Sequence, residues 1–479
     1  MLDTSLSRGE FLRLAGGAGI GLALPGSLAI FGASEVRAAE ILGDGKFPIG
    51  AWWPPPPEET NDDRYAEIAE AGFNFVIGGN GVGNDEATAA ALTAASANDL
   101  RFILMDGRLR NLINGSAGAR STSSGSETES PMRLLRESEE PQRVSAASSD
   151  PEKVRERIRE LVDLHGSSPA LVGINLFDEP GRSLFEALRR TSLDLRELSD
   201  GLLPYVNVWP SYASPAALET SSYAKYLAQY TSIVEPPLLS FDHYPLLSGK
   251  KITRDYFFNW AKVRSRALRA NIPSWVFIQS VDFDGAAVRL APRRRPSRAD
   301  LLWQINVSLA YGAKGIQYFT YWTPEGSRVP YGQALISKSG TRTPLYDYAR
   351  SVNDYLQSIG QFLLPMRSVS VVHAKNRPRG ATPFRPDPFV RAVGGGASIL
   401  GSFVRPGGAR DRYLLVVNHS PDRATRVRLS MSPRVSGVFR FNAAKGRFAN
   451  PVRRRGGRAI RLPIKLGPGA AQLLLLRRR

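Results

Sequence analysis

The 479-residue chain is 42% hydrophobic, enough to bury one large core or two smaller ones, and it reads as a globular protein of two or three domains. It has no cysteine, which excludes disulfides and thiolate metal sites, and its four histidines, His165, His243, His373 and His419, lack a metal-ligand spacing. Lys and Arg number 63 against 44 Asp and Glu, a net charge of +19 with a pI near 10.2, which raises the question of an anionic partner.

The N-terminal stretch "SLSRGEFLRLAGGAGIGLALPGSLAIFGASEVRAAE" has a charged start, an apolar middle rich in Gly and Ala, and a small-residue end. These are the three parts of an export signal, assigned to residues 1–39. It resembles a twin-arginine signal through Ser7, Arg8, Phe11, Leu12 and Arg13, with Gly9 where the second arginine belongs. Cleavage is expected after Ala38 or Ala39, giving a secreted or cell-envelope protein. The apolar run is short and broken by Pro25, which argues against a membrane anchor and leaves the mature chain without an integral span.

From residue 46 apolar runs alternate with helical patterns. "FPIGAWW" (47–53) reads as a strand, "DDRYAEIAEAG" (62–72) as a helix closed by Gly72, and "FNFVIGG" (73–79) as the next strand. A helix through "NDEATAAALTAASAND" leads into "RFILMDG" (101–107). The interval from about 110 to 149, full of Ser, Gly, Arg and Glu, reads as a low-complexity insert. "DPEKVRERIRELVDLHG" then opens with an Asp cap and a first-turn Pro and delivers "PALVGINLFDEPG" (169–181). That run suits an inner parallel strand stopped by Pro180, so Asp178 and Glu179 mark its C-terminal lip. Four further strands are expected at "PYVNVWP" (204–210), "PLLSFDHYP" (237–245), "SWVFIQS" (274–280) and "KGIQYFTYW" (314–322). Eight strands separated by helices, with no Gly-rich phosphate fingerprint after the first, predict a (β/α)8 barrel over 46–365. Beyond Pro365, β-rich runs such as "ASILGSFV", "YLLVVNHS" and "TRVRLSM" between Gly, Pro and Arg turns predict an antiparallel sandwich over 366–479. There "GVFRFNAAKGRF" reads as a hairpin and "GPGAAQLLLL" as the last strand.

The predicted strand ends carry Trp52, Trp53, Gly79, Asn80, Asp106, Asp178, Glu179, Trp209, Tyr212, Asp242, Tyr244, Gln279, Tyr321 and Trp322. Aromatic faces stack on the C–H faces of sugars, and carboxylates and amides bond hydroxyls, so a partly exposed rim of this kind points to a carbohydrate substrate. No phosphate cradle or metal cluster competes with it, and no cofactor is expected. The basic clusters "PRRRP" (292–296), "RRRGG" (453–457) and the terminal "RRR" lack an aromatic-interleaved or helix-turn-helix pattern. They read as solvated surface rather than a nucleic-acid site, with an anionic polysaccharide or cell wall as an intermediate alternative.

"DEP" after strand four, "SFDHYP" at strand six, "AYGAKGIQYFTYW" into strand eight and the sandwich tail resemble bacterial glycoside hydrolases of the large retaining clan, including β-galactosidase-like members. The resemblance covers the layout of residues 47–479. It implies Glu179 as general acid/base, with Asp178 in place of the usual Asn of "NEP". It departs at strand seven, where the clan carries a nucleophilic Glu and this chain has Gln279. A second carboxylate is then sought in Asp242, in Glu325 of "TPEGSR", or in Asp178. An adjacent Asp–Glu pair also resembles β-hexosaminidases, in which a substrate acetamido group attacks. A binding protein without turnover remains a rival, and a lyase using Arg182 or Arg328 a further one.

Mass spectrometry of the exported protein is expected to find a mature chain beginning at residue 39 or 40. An intact Met1 on a membrane-associated protein would contradict the signal.

Overall fold

In the computed structural model, eight parallel strands close into a barrel. They are β1 (Ile49–Trp52), β2 (Phe75–Ile77), β3 (Arg101–Met105), β4 (Leu171–Asp178), β5 (Leu203–Val208), β6 (Leu239–Asp242), β7 (Ser274–Gln279) and β8 (Gly315–Phe319). Each pairs with its neighbour in sequence, and β8 returns to β1 with Ile49 opposite Ile316. The structure describes residues 41–115, 150–285, 290–326, 329–408, 410–453 and 459–478. The expected export signal, most of the 110–149 insert and Arg328 lie outside them.

The main helices around the barrel are α1 (Asp62–Glu70), α2 (Asp85–Ala97), α3 (Gly107–Ile113), α4 (Pro151–His165), α5 (Phe185–Leu198), α6 (Tyr223–Ile233), α7 (Tyr256–Ala270), α8 (Arg298–Tyr311) and α9 (Pro344–Leu363). Side chains of Asn61, Asn84, Asp150, Ser222, Ser297 and Thr343 accept from backbone N–H groups at helix starts, filling bonds the first turn cannot make for itself. Helix α3 takes the first residues of the expected insert, because Asp106 caps it by accepting from the Leu109 N–H at 2.6 Å. No helix among the described residues is long and apolar enough to cross a membrane.

Strand alternation sorts the apolar side chains into two layers. Ile49, Val76, Leu104, Ile174, Val206, Phe241, Ile278 and Tyr318 point outward and pack under the helices. Phe75, Ile77, Ile103, Tyr205, Trp275, Phe277 and Phe319 fill the barrel, with Trp52 closing over Phe277 and Phe319 at ring distances of 5.1 and 5.7 Å.

After α9 the chain forms two antiparallel sheets. Their strands are β9 (Arg367–Ala374), β10 (Val390–Gly395), β11 (Ser398–Val404), β12 (Arg412–Asn418), β13 (Thr425–Met431), β14 (Val435–Asn442), β15 (Arg447–Arg453), β16 (Arg461–Leu466) and β17 (Ala471–Arg478). One sheet has the order β9-β11-β12-β17-β14-β15 and the other β10-β13-β16. Leu400, Leu414 and Val416 of the larger sheet pack on Val427, Leu429 and Ile464 of the smaller. The opposite face of the larger sheet, through Ile399, Phe403, Leu415 and Leu473, joins the core under the barrel helices.

Helix α8 lies between barrel and sandwich and is buried on nearly every side. Its buried polar side chains are therefore all bonded. Gln304 both accepts from and donates to the Gln279 backbone, at 2.9 and 3.0 Å. Asn306 donates to the Gly469 carbonyl, Trp303 Nε1 to the His419 carbonyl, and the Tyr311 hydroxyl lies 2.9 Å from His373 Nε2. Close approach of β11 to α8 depends on Gly401, where a Cβ would stand 2.6 Å from the Ala310 carbonyl oxygen. Gly401→Ala is expected to destabilise the chain by about 1–3 kcal/mol, read as a lower urea midpoint. An unchanged midpoint would mean that the sandwich slides freely on α8.

Candidate active site

A β-bulge decides which way the acids of β4 face. Asn175 pairs with Tyr205 on the inner side, and simple alternation would then send Phe177 inward and Asp178 toward the helices. The register shifts between Asn175 and Phe177, so Phe177 pairs with Val206 in the outer layer and Asp178 with Asn207 on the inner one. Glu179 follows with φ 55°, a left-handed conformation uncommon for a residue with a side chain. Its N–H is held by the Asn207 carbonyl at 2.8 Å.

A polar column inside the barrel fixes these groups from below. Tyr205 donates to Gln317 at 2.7 Å and lies 2.8 Å from the Ser240 hydroxyl, and Gln317 donates to that hydroxyl at 3.0 Å. Ser240 in turn donates to Asn207 Oδ1 at 3.0 Å. The Asn207 amide nitrogen is thereby aimed at the lip, where it donates to Asp178 and to Asp242, each at 3.1 Å. No N–H or hydroxyl among the described residues reaches either oxygen of Glu179 or Oδ2 of Asp242. Instead these two carboxyls face one another at hydrogen-bond range, so a proton on one is donated to the other.

Glu179 is 5% exposed and Asp242 1%. Burial, then the charges of Asp242 and Asp178, raise the Glu179 carboxyl well above its ordinary range. Burial and the Asp178 charge push Asp242 up to about 7, against the opposing bonds from Asn207 and Glu179. The pair therefore holds a proton at neutral pH. Around it stand Tyr244, stacked on Phe319 at 4.9 Å, and Tyr212, edge-on to His243 at 5.1 Å. Burial and nearby Asp242 raise both phenols, which places both beside the acids. Phe283 and Tyr331 cover the mouth, their rings 5.8 Å apart and joined by a backbone bridge. Trp53 lies in the same apolar cluster, 2% exposed, with its indole N–H unpartnered.

The remaining expected site residues have other tasks. Gln279 is fully buried and both ends of its amide are used: Oε1 accepts from the Leu246 N–H at 2.9 Å and Nε2 donates to the Arg294 carbonyl at 2.8 Å. It anchors the loops after β6 and β7 and does not present a free group to a sugar. Asp106, 2% exposed, meets Arg157 of α4 at 2.9 Å, because it is needed as the α3 cap and as partner to a buried guanidinium. Tyr321 and Trp322 continue β8 into the outer layer, with Tyr321 edge-on to Phe73 and Arg64 lying 5.3 Å over Trp322. Trp209 is also in the outer layer. The expectation of a partly exposed aromatic rim is thus not met: Trp52, Trp53, Trp209, Tyr321 and Trp322 are all 5% exposed or less. Asn80 is partly exposed and donates to the Pro54 carbonyl at 2.7 Å, while Glu325 is exposed to solvent.

Asn207, His243, Arg293 and Tyr331 join the site without having been singled out in the sequence. Asn207 was legible, since Tyr205 and Asn207 alternate with Pro204, Val206 and Val208 along β5. His243 meets Asp255 at 3.3 Å. Burial opposes ionisation of Asp255, but His243 and the Ser211 hydroxyl outweigh it and hold that carboxyl below its ordinary range. Arg293 donates to the Tyr244 carbonyl at 2.7 Å. Among the described residues no cluster of His and acids is arranged to hold a metal ion.

No protein-family model matches the chain, and no curated protein does. Solved structures do. A β-galactosidase from Bacillus circulans sp. alkalophilus aligns over 90% of this chain and 99% of its own at TM-score 0.56 and 9% identity. A catalytic mutant of a GH42 β-galactosidase from G. stearothermophilus aligns over 90% and 98% at TM-score 0.54 and 10% identity. A β-galactosidase from the psychrophilic Marinomonas ef1 aligns over 67% of this chain at TM-score 0.46 and 14% identity, and this chain spans 62% of its length. At these identities the first two likenesses establish a shared fold, a barrel followed by β-sheets.

The raised Asp242 carboxyl has a consequence for stability. With a folded value of about 7 and an unfolded one of about 3.9, the folded chain keeps a proton that the unfolded chain releases between those values, so its contribution falls as pH rises from about 4 to 7. Asp242→Asn removes that dependence. The variant is expected to melt several degrees above wild type at pH 8 and close to it at pH 4. Equal melting temperatures at both would show that no charge is buried at Asp242.

Proposed function

We propose that the chain is an exported glycoside hydrolase acting on a poly- or oligosaccharide, with Glu179 as general acid and Asp242 as its charged partner. The observation that carries this reading is the proton-sharing contact of Glu179 and Asp242 at the C-terminal lip of a (β/α)8 barrel, the end where barrels of this type do their chemistry. A raised carboxyl keeps its proton for a leaving glycosidic oxygen, and the ionised partner stabilises the positive charge that develops on the sugar. A retaining pair stands about 5–5.5 Å apart and an inverting pair about 6.5–9.5 Å, so a bound sugar has to part the two carboxyls before Asp242 takes the role the clan gives to a strand-seven Glu. Asn207 orients Asp242, and Asp178 supplies the second negative charge. A sugar reaches the pair when Phe283 and Tyr331 are displaced, and Tyr244 and Trp53 then offer a hydroxyl and an indole N–H to it. The fold shared with β-galactosidases agrees with this reading.

One observation favours a rival without turnover. Gln279 stands on β7 where the clan has its nucleophile, and it is spent on backbone contacts.

Screening on aryl glycosides and polysaccharides separates the two. The hydrolase is expected to show a bell-shaped profile whose acid limb lies near pH 7, set by Asp242, and whose alkaline limb reports Glu179. Asp178→Asn removes the charge that raises Asp242, so the acid limb should move to lower pH. Glu179→Gln should cost about 10²–10⁴-fold on substrates with poor leaving groups and much less on activated aryl glycosides. Glycan binding without turnover on any substrate would establish the rival.

A further inference from the structure

The net positive charge belongs to one domain. Residues 366–479 contain 25 Lys and Arg against three Asp and no Glu, whereas residues 1–365 contain 38 against 41 acids. The three acids of the sandwich are engaged locally: Asp387 accepts from the Phe389 and Val390 N–H groups, Asp411 lies 3.9 Å from Arg477, and Asp422 lies 3.9 Å from Arg294. The sandwich as a whole is a polycation attached to a nearly neutral barrel.

Within it, the three-stranded sheet has one face on the sandwich core and the other on solvent. The exposed positions of β13 and β16 are Arg426, Arg428, Arg461, Pro463 and Lys465, alternating with buried Val427, Leu429, Leu462 and Ile464. Arg426 stands directly opposite Lys465, and Arg428 between Pro463 and Gly394. None of the four cations pairs with a carboxylate among the described residues. Like charges directly opposite on neighbouring strands repel, and on an ordinary solvated sheet they are exchanged for opposite pairs. The small outward residues Ala392 and Gly394 of edge strand β10 keep the face low beside them, and Arg428 Nε lies only 3.8 Å from where a Cβ on Gly394 would stand. The result is a flat platform whose cationic heads repeat at about 7 Å along a strand and about 5 Å across strands.

We propose that this face docks the protein on an anionic, carboxylate-bearing polysaccharide. Guanidinium groups match carboxylates in a bidentate fork, and a row of them on a flat sheet suits an extended chain of repeated charge. Nucleic acid fits less well. The face carries no aromatic side chain on which a base could stack and no helix to enter a groove. The platform lies on the far side of the larger sheet from α8.

The test uses the full chain and measures binding, which separates it from the hydrolase reading. Wild type is expected to bind polygalacturonate but not dextran at about 0.05 M NaCl, and to weaken at least tenfold at about 0.5 M. The triple variant Arg426→Ser, Arg428→Ser, Lys465→Ser is expected to bind at least tenfold more weakly, with a shallower salt dependence and a melting temperature equal to or above wild type. A variant of equal charge change on the barrel, Lys153→Ser, Arg159→Ser, Arg190→Ser, should bind as wild type does. Equal loss in both variants, or no loss in the first, overturns the platform. Tighter binding of a DNA oligomer than of polygalacturonate overturns the assignment of the partner.

Discussion

Two buried carboxyl groups, Glu179 and Asp242, meet beside a partly exposed third, Asp178, and the organisation of the barrel mouth follows from the cost of charge there. Burial disfavours charge on Glu179 and Asp242, so one proton is retained and shared between them. The Asn207 amide is the group that makes the arrangement tolerable, because it bonds two of the three at once. Its own orientation depends on Ser240, Tyr205 and Gln317 deeper in the barrel. The polar column and the acids are one unit, set among the aromatic rings that fill the barrel.

The same economy explains Gln279 and α8. A polar side chain at the end of β7, buried under two loops, has to bond on every side, and it does so with Leu246, Arg294 and, through its backbone, Gln304. Gln304 belongs to the helix on which the sandwich rests. The end of β7 is thereby connected to the sandwich through α8, so the two halves of the chain share a core rather than meeting at a linker. Charge is placed in the opposite sense at two sites: the barrel buries Glu179 and Asp242 at its mouth, and the sandwich exposes Arg426, Arg428, Arg461 and Lys465 on its three-stranded sheet.

Barrel and sandwich were legible in the sequence, because strand runs, helix caps and the change of texture beyond Pro365 are local signals carried by neighbouring residues. The acid pair at the lip was legible for the same reason, as an apolar strand ending in "DEP". The overall excess of cations was also plain, but their concentration beyond residue 366 is a matter of where they fall, and their platform needed the register of β13 against β16.

What only the tertiary structure decided was facing and partnership. One extra residue in β4 reverses the alternation and turns Asp178 inward, and no local pattern announces such a bulge. Tyr321 and Trp322 fall on the helix side and Trp53 on the barrel side although all three stand at strand ends, since the face a side chain takes depends on register with neighbours distant in sequence. Asp106 and Gln279 carry the residue types of a sugar site, but buried polar groups take the partner nearest in space, and here those partners are Arg157 of α4 and the backbone at Leu246 and Arg294. The sequence by itself determined which elements form and that acids stand at the lip. Which of those acids meet was decided by the closure of eight strands into one ring, which brings Asp242 of β6 against Glu179 at the end of β4.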